Sequence, residues 1–206
     1  FDRLGFGKPP HAGFPGEASG RLRPYKSWQP IEQATMAYGH GISVSLLQLA
    51  RSYMVFAGDG EIRPVSLLKL DVPPTGAKVI AAETSQAVRG MLELVVKPGG
   101  TAPRAQVMGY RVAGKTGTAH KQENGHYADD RYVASFVGLA PASNPRLIVA
   151  VMIDEPSNGQ YYGGTVAAPV FSQVMSGALR LLSVPPDAPT GNILPLEGVP
   201  EVKEVV

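Results

Sequence analysis

The residues of this 206-residue chain that are best suited to chemistry stand in a row, Lys115-Thr116-Gly117-Thr118. An ammonium group beside two hydroxyls can hold a carboxylate, because a cation and an O–H donor both bind an anion. The glycine allows the backbone of a peptide to lie flat against this segment, as an added β-strand would. A backbone N–H near Thr118 could then stabilise an oxyanion. The pattern predicts a site that binds the carboxylate of a peptide substrate.

A plainer interpretation of the same residues is a solvent-facing strand with a glycine bulge. From average residue usage, K-T-G occurs by chance in roughly one chain in twenty of this length. Strand alternation sends Lys115 and Gly117 to one face and Thr116 and Thr118 to the other. The setting favours the functional interpretation, since an apolar strand precedes the triplet and a β-hairpin and a helix follow it.

Composition excludes several other classes of function. The chain has 19 basic and 17 acidic residues and a net charge of +2, without a basic stripe interleaved with aromatics, so nothing indicates a nucleic-acid partner. It has no cysteine, hence no disulfide and no thiolate metal site. No run of 18 apolar residues and no signal peptide is present, and we interpret the chain, which opens "FDRLGFGKPP", as a piece of a longer protein.

The histidines and acidic pairs give little support to a metal site or to acid–base catalysis. The four histidines, at 11, 40, 120 and 126, lack a metal-binding spacing such as H-E-x-x-H. The pairs Asp129-Asp130 and Asp154-Glu155 are adjacent, so their carboxylates diverge in an extended chain and surface or turn roles are favoured over acid–base work. The "YGHG" sequence at 38–41 reads as a tight turn without chemistry.

Helices are predicted in the first half of the chain. Residues 7–31 are rich in Gly and Pro and are predicted to form a loop. Ser45 and Gln48 have the spacing of a capping box, and the helix that they begin ends at Gly58 and Gly60. "IRPVSLLKLDV" reads as a short extended piece, and a second helix covers about 83–96, with Val88, Met91, Leu92 and Val95 on one face.

The second half predicts a sheet followed by a helix. "GYRVAGKTGTA", "RYVASFVGLAPA" and "RLIVAVMIDEP" are three β-rich runs, which we interpret as an antiparallel unit. Pro169 opens a helix that "SVPPD" ends. The apolar stripe of this helix is expected at Phe171, Val174, Met175, Ala178, Leu179 and Leu182. Residues 184–206 form a Pro-rich tail, and 1–183 belong to one domain.

Longer segments give the chain a family resemblance. They are "GFPGE", "KSWQPIEQATMAYGHGISVSLLQLARSY", "KPGGTA", "AGKTGTAHK", "FVGLAPASNPRLIVAVMIDEP" and "YYGGTVAAPVFSQVMSGALRLL". In this order they resemble the transpeptidase domain of the class B penicillin-binding proteins, and most closely the septal, division-specific members. The resemblance covers nearly everything from residue 5 to about 188, and it implies the C-terminal portion of the penicillin-binding/β-lactamase-like transpeptidase fold, an antiparallel sheet flanked by helices.

The resemblance also indicates what is missing. Sites of this fold combine S-x-x-K, which carries the nucleophile, with S-x-N and K-[ST]-G. The one S-x-x-K match, Ser66 to Lys69, lies in a strand-like run, and S-x-N does not occur in the chain. In a strand, residues three apart point to opposite faces, so Lys69 cannot serve Ser66 as a base. We expect the nucleophile to lie upstream, outside this chain, and the chain alone to be inactive.

The family's roles transfer to matching residues. The resemblance implies that Lys115, Thr116 and Thr118 hold the substrate carboxylate and that Gly117 keeps the strand clear. It further implies that Tyr132, Tyr161 and Tyr162, with Gly163, line the pocket for substrate and β-lactams. The basic side chain of His120 is a candidate rim contact, although a plain surface role is about equally compatible with its position.

The implied parent is a D,D-transpeptidase that crosslinks peptidoglycan stem peptides at the division septum through a serine acyl-enzyme. The resemblance implies no metal or organic cofactor. It implies a bacterial inner-membrane protein with its catalytic domain in the periplasm, which meets lipid-linked precursor, β-lactams and division-machinery membrane proteins including a glycosyltransferase. Two alternatives remain: a D,D-carboxypeptidase or β-lactamase-type hydrolase, and a non-catalytic β-lactam sensor or division scaffold.

Overall fold

An antiparallel sheet with helices on both faces forms the centre of the chain. The computed structural model describes residues 1–123, 126–157 and 159–189. The predicted fold class, an antiparallel sheet flanked by helices, is confirmed. In chain order the helices and strands of the described residues are α1 (Pro30–Met36), α2 (Leu46–Ser52), α3 (Met54–Ala57), β1 (Glu61–Ile62), β2 (Ala77–Lys78), α4 (Ala82–Glu93), β3 (Ala113–Glu123), β4 (His126–Ala140), β5 (Leu147–Asp154), α5 (Gly163–Val166) and α6 (Ala168–Leu181).

The three predicted strands pair as expected, in the order β3-β4-β5. The register sets Lys115 opposite Val137 and Gly117 opposite Ser135. Towards the end of the β3–β4 hairpin the register shifts between His120 and Gln122, where the ladder is irregular. β3 is therefore the edge strand of the sheet, and it carries the K-T-G triplet.

Side-chain alternation along the strands divides the core between the two faces of the sheet. Phe136 and Leu139 are three apart on β4, so they point to opposite faces. Phe136 packs with Phe171 of α6, at 4.7 Å between ring centroids, in the larger cluster. Leu139 packs with Ala113 in the smaller cluster, against α3 and α4. α6 therefore covers one face and the helices of the first half cover the other.

The predicted helices form, with small differences. Ser45 and Gln48 make the predicted capping box, in which the Gln48 N–H donates to Ser45 Oγ at 3.2 Å and the Ser45 N–H to Gln48 Oε1 at 2.7 Å. The helix breaks at Tyr53, so it becomes α2 and α3. The second helix, α4, is followed by a 3-10 turn at 94–96, and Met91, placed on its predicted apolar face, is 63% exposed.

The helix after the sheet forms as predicted, but its buried stripe is narrower. Phe171, Met175 and Leu179 follow one another at four-residue spacing and are fully buried. Val174 and Leu182, which were expected on the same stripe, are largely exposed. None of the helices in the described ranges is both long and apolar enough to cross a membrane.

Two segments differ from the sequence prediction. α1 lies partly in the stretch expected to be loop, and it begins with Pro30 and a capping box between Gln29 and Glu32. The run "IRPVSLLKLDV" is strand only at its start, where Ile62 of β1 pairs with Ala77 of β2. Beyond β1 this run is irregular, and leucines 67 and 68 are largely exposed.

The residues after α6 turn back onto the loop that leads into β3. The Asp187 carboxylate accepts the Arg111 N–H at 2.7 Å, the Ser143 N–H at 3.1 Å and the Ser143 hydroxyl at 2.7 Å. The Tyr110 hydroxyl donates to the carbonyl of buried Val184 at 2.6 Å. These contacts place 184–189 against the larger core cluster, and the remainder of the predicted tail, 190–206, lies outside the described residues.

Replacing Asp187 by alanine should lower the free energy of unfolding by about 1–3 kcal/mol, because it removes the acceptor of three hydrogen bonds. Urea unfolding measures the loss. The matched control is Asp130→Ala, since the Asp130 side chain is 91% exposed and lies 4.0 Å from Arg131. Equal stability of the two variants would contradict a structural role for the Asp187 contacts.

Candidate active site

The lysine of the triplet bonds to the next residue of its own strand. Lys115 Nζ donates to Thr116 Oγ1 at 2.8 Å and to the Thr116 carbonyl at 3.1 Å. Lys115 is exposed, whereas Thr116 is 6% exposed. The strand edge therefore presents the ammonium to solvent with a hydroxyl directly beside it, which is the pairing that binds a carboxylate.

A second threonine, which the sequence analysis did not single out, supports this pair. Thr101 Oγ1 lies 3.1 Å from Thr116 Oγ1, within hydrogen-bonding distance. Thr101 follows the glycines of "KPGGTA", and Gly100 must be glycine because a Cβ there would overlap backbone oxygens of the preceding turn. The loop thus fixes the Thr116 hydroxyl from behind. The KPGGTA segment is one of those that give the chain its family resemblance, but no local sequence pattern links Thr101 to β3.

Packing within the chain itself explains why residue 117 is a glycine. A Cβ on Gly117 would lie 2.6 Å from Ser135 Oγ, on the opposite residue of β4. The Ser135 hydroxyl donates to the Gly117 carbonyl at 3.4 Å. A side chain at 117 must therefore displace Ser135, independently of any substrate that lies along the strand.

The last residue of the K-T-G-T row connects β3 to the start of α5. The Gly163 N–H donates to Thr118 Oγ1 at 3.1 Å. Tyr162 is the residue immediately before α5, with Tyr161 before it. The predicted substrate-binding segment and the predicted catalytic strand are thus in direct contact.

Four rings form one continuous stack beside this contact. Tyr132 and Tyr161 lie parallel, with centroids 3.9 Å apart and an interplanar angle of 9°. The His120 ring lies tilted against Tyr132, and the Tyr162 ring lies tilted against Tyr161, each with centroids 4.6 Å apart. All four residues are half-buried, so the stack is a wall with an accessible side.

The hydrogen bond of His120 fixes its tautomer. His120 Nδ1 lies 2.8 Å from the carbonyl oxygen of Ala128. Because a carbonyl only accepts, Nδ1 carries the proton and donates. The ring is thus held against Tyr132 by its own strand pair, and Nε2 remains as the other polar atom of the ring.

Lys121 attaches the end of β5 to β3. Its ammonium lies 2.5 Å from Glu155 Oε1 and 3.0 Å from Asp154 Oδ2. The hydrogen bond to Glu155, followed by that to Asp154, raises the pKa of Lys121 above its ordinary value. Glu155 has a positive φ of 51°, a conformation that is unfavourable for a residue with a Cβ, and it begins the segment that leads to the tyrosines. The surface role expected of this acidic pair is an ion pair with Lys121.

The remaining candidates from the sequence lie elsewhere. The Ser66 hydroxyl turns onto its own segment: it donates to the Leu68 carbonyl at 2.9 Å and accepts the Leu68 N–H at 3.0 Å, with no helix around it. Asp130 is exposed, and the Asp129 side chain lies outside what the structure describes. Within the described residues, no three His, Cys, Asp or Glu side chains come together as a metal site would require.

The "YGHG" turn, to which the sequence assigned no chemistry, reaches the hairpin. The His40 ring packs edge-on against Tyr38 at 5.4 Å and against Tyr127 at 5.7 Å between centroids. The Tyr127 hydroxyl also lies 3.4 Å from His40 Nδ1. The contacts between His40 and Tyr127 join residues distant in the chain, which no spacing rule could anticipate.

Comparisons with known proteins show the family of the chain. The chain matches the family model of the penicillin-binding protein transpeptidase domain over residues 1–176. It is 53% identical over 189 residues to a probable peptidoglycan D,D-transpeptidase PenA of Neisseria flavescens, covering 92% of this chain and 47% of that protein. It is 43% identical over 191 residues to the peptidoglycan D,D-transpeptidase FtsI of Escherichia coli K12, covering 92% of this chain and 32% of that protein.

The chain is also similar to a solved structure of a transpeptidase domain. The apo transpeptidase domain of penicillin-binding protein 3 from Burkholderia pseudomallei is similar with a TM-score of 0.86 and 54% sequence identity. The similarity covers 91% of this chain and 57% of that one. The chain spans about a third to a half of the length of the curated relatives named above.

Gly117 can be required either for packing against Ser135 or for clearance of a ligand along β3. A pair of substitutions separates these two explanations, with penicillin labelling of the full-length parent as the measurement. Gly117→Ala should slow labelling at least about tenfold, because its Cβ displaces Ser135 Oγ. Adding Ser135→Ala removes that oxygen, and Cβ of residue 135 lies 4.0 Å from the new Cβ. Recovery in the double variant assigns the glycine to packing, and a defect that persists assigns it to the ligand. Ser135→Ala alone is the control.

Proposed function

The chain belongs to the penicillin-binding protein transpeptidase family, and from that premise we propose that the protein containing it is a serine-type peptidoglycan D,D-transpeptidase. The observation that carries the proposal is the placement of Lys115 on the edge strand β3, with its ammonium 2.8 Å from the Thr116 hydroxyl. A carboxylate-terminated peptide can lie along such an edge and meet both groups.

In the proposed reaction a serine outside this chain attacks the carbonyl of the D-Ala-D-Ala amide. An ester forms between the serine oxygen and the acyl group, the amide C–N bond breaks, and the serine's proton leaves on the amine of the released D-Ala. The amine of a second stem peptide then attacks the ester, forms the crosslinking amide and returns a proton to the serine oxygen. Lys115 supplies fixed positive charge near both the serine and the substrate carboxylate.

The other residues of the site orient the donor peptide. We infer that Lys115, Thr116 and Thr118 hold its terminal carboxylate. The stack of His120 and the three tyrosines walls the pocket on one side, and its contact with Thr118 through Gly163 supports that assignment. Aromatic faces would bury the apolar parts of a peptide or a β-lactam.

The cellular setting rests on the family resemblance alone. We propose that the parent is held in the bacterial inner membrane with this domain in the periplasm, and that it works at the division septum. Its partners would be stem peptides, lipid-linked precursor and division proteins including a glycosyltransferase, and its inhibitors β-lactams.

Lys115→Ala in the full-length parent should slow acylation by a labelled penicillin at least about a hundredfold, because the positive charge beside the reacting groups is lost. Gel fluorescence over time gives the rate. The matched control is Lys69→Ala, which removes an exposed ammonium from the irregular segment after β1 and should react as the wild type does. A rate for Lys115→Ala within about threefold of wild type would refute the assigned role.

A penicillin adduct on the parent should map outside residues 1–206, because Ser66 bonds to Leu68 and has no helical lysine beside it. Mass spectrometry of peptides after labelling locates the adduct, and an adduct on Ser66 would overturn the assignment of the nucleophile. The same preparations separate the alternative functions. Hydrolysis of D-Ala-D-Ala without transfer to an amine would indicate a carboxypeptidase, and the absence of any adduct would indicate a scaffold.

A further inference from the structure

A polar cleft of about 280 Å³ lies at the far end of the strand that carries the K-T-G triplet. Gln122 and Tyr127 line it from the β3–β4 hairpin, and Arg21, Arg23 and Ser43 line it from the segments that flank α1. None of the roles proposed above involves these five residues. The cleft is large enough for a charged side group of a peptide, although smaller than a typical site for a whole small molecule.

The cleft carries a positive charge that no acidic side chain among the described residues neutralises. Arg23 forms an ion pair with Glu32 of α1. Arg21 is exposed and, within the described residues, has no acidic partner. An exposed guanidinium next to neutral donors is a site for an anion, because its planar fork matches a carboxylate with two parallel N–H bonds.

The backbone holds Arg21 in place at the cleft. Its N–H donates to the Ser43 carbonyl at 2.7 Å, and the Ser43 N–H donates back at 3.0 Å. Gly20 has a φ of +65°, and a Cβ there would overlap the Ser43 carbonyl, so the two segments are in close backbone contact. On the opposite side, the contact of Tyr127 with His40 holds the hairpin.

The direction of a donor peptide on β3 follows from the position of Lys115. Only Ala113 and Gly114 precede it on the strand, and both are buried. A peptide whose carboxylate end lies at 115–118 must therefore extend along β3 towards Gln122. From Thr118 to Gln122 the strand advances about 14 Å at ~3.4 Å per residue, which an extended peptide of roughly four residues spans.

We propose that this cleft binds a carboxylate of the donor peptide, two to four residues before the amide that reacts. The proposal rests on the proposed transpeptidase function. Arg21 makes the ion pair, and Gln122, Ser43 and Tyr127 offer hydrogen-bond donors around it. β3 thus contacts the donor at two anionic points, its terminal carboxylate at Lys115 and an internal carboxylate at Arg21.

The test uses the full-length parent and two synthetic donors that end in D-Ala-D-Ala. One has a free carboxylate two to four residues before the reacting amide, and the other has a carboxamide at the same position. Exchange of the terminal D-Ala for labelled D-Ala reports acyl transfer without a second peptide, so any effect belongs to the donor. Labelling by benzylpenicillin, which carries no second carboxylate, measures the share of active protein in each preparation.

Wild-type parent should favour the carboxylate donor in kcat/KM, mainly through KM. Arg21→Gln should reduce that preference about fivefold, the size of one exposed charge-assisted pair, and Arg21→Lys should restore part of it. Arg146→Gln is the matched control, because Arg146 is an exposed arginine in the β4–β5 turn, at the opposite end of the sheet. It should keep the wild-type preference.

An unchanged preference in Arg21→Gln, or an equal fall in Arg146→Gln, would overturn the cleft proposal. A wild-type parent that uses both donors equally would overturn it as well, even with normal penicillin labelling and D-Ala exchange. Failure of the wild type in both labelling and exchange is a different result, since it refutes the transpeptidase function on which the cleft proposal depends.

Discussion

The candidate site depends on how closely the start of α5 approaches the sheet. A Cβ on Gly163 would overlap the carbonyl oxygen of Ser135, and a Cβ on Gly164 would overlap that of Thr101. Hydrogen alone fits at both positions, so two consecutive glycines are required where the helix begins. This approach allows the Gly163 N–H to reach Thr118, and it sets the preceding tyrosines beside the K-T-G-T strand. A larger residue would lift the helix and separate the aromatic wall from the edge strand.

Local signals explain why most of the fold could be predicted from the sequence. The capping box of Ser45 and Gln48 depends on residues three apart, and β-rich runs separated by turn residues specify a meander directly. α1 was missed because glutamine at position 29 is not among the preferred N-cap residues, although the structure forms a capping box there. The break at Tyr53 was missed as well, since the apolar period continues through it. Elements were predictable where the information was local, and their ends were less so.

The sequence singles out residues for the candidate site, but it does not reveal the contacts that they make. Strand alternation and motif resemblance single out Thr116, but not that it is buried and bonded to Thr101. They single out Gly117, but not the oxygen of Ser135 that a Cβ would meet. Each of these contacts joins segments that are distant in the chain, and its distance depends on the packing of both. No single-sequence period encodes such a distance.

β3 sets the spacing of everything that the site requires. Along one strand it carries Lys115 at the proposed anion site, Thr118 for α5, His120 for the ring stack, Lys121 for the ion pairs with the end of β5, and Gln122 for the polar cleft. In a regular strand, adjacent residues face opposite sides, so the alternation of the K-T-G-T segment would also fix the sides that Lys121 and Gln122 face. The irregular register between His120 and Gln122 removes that restriction, because the hairpin beyond it no longer follows the alternation of the K-T-G-T segment. A slip of one residue in the pairing of β3 with β4 would move all five side chains at once. The site therefore depends on register more than on any single contact, and the buried pairing of β4 with both of its neighbours fixes that register.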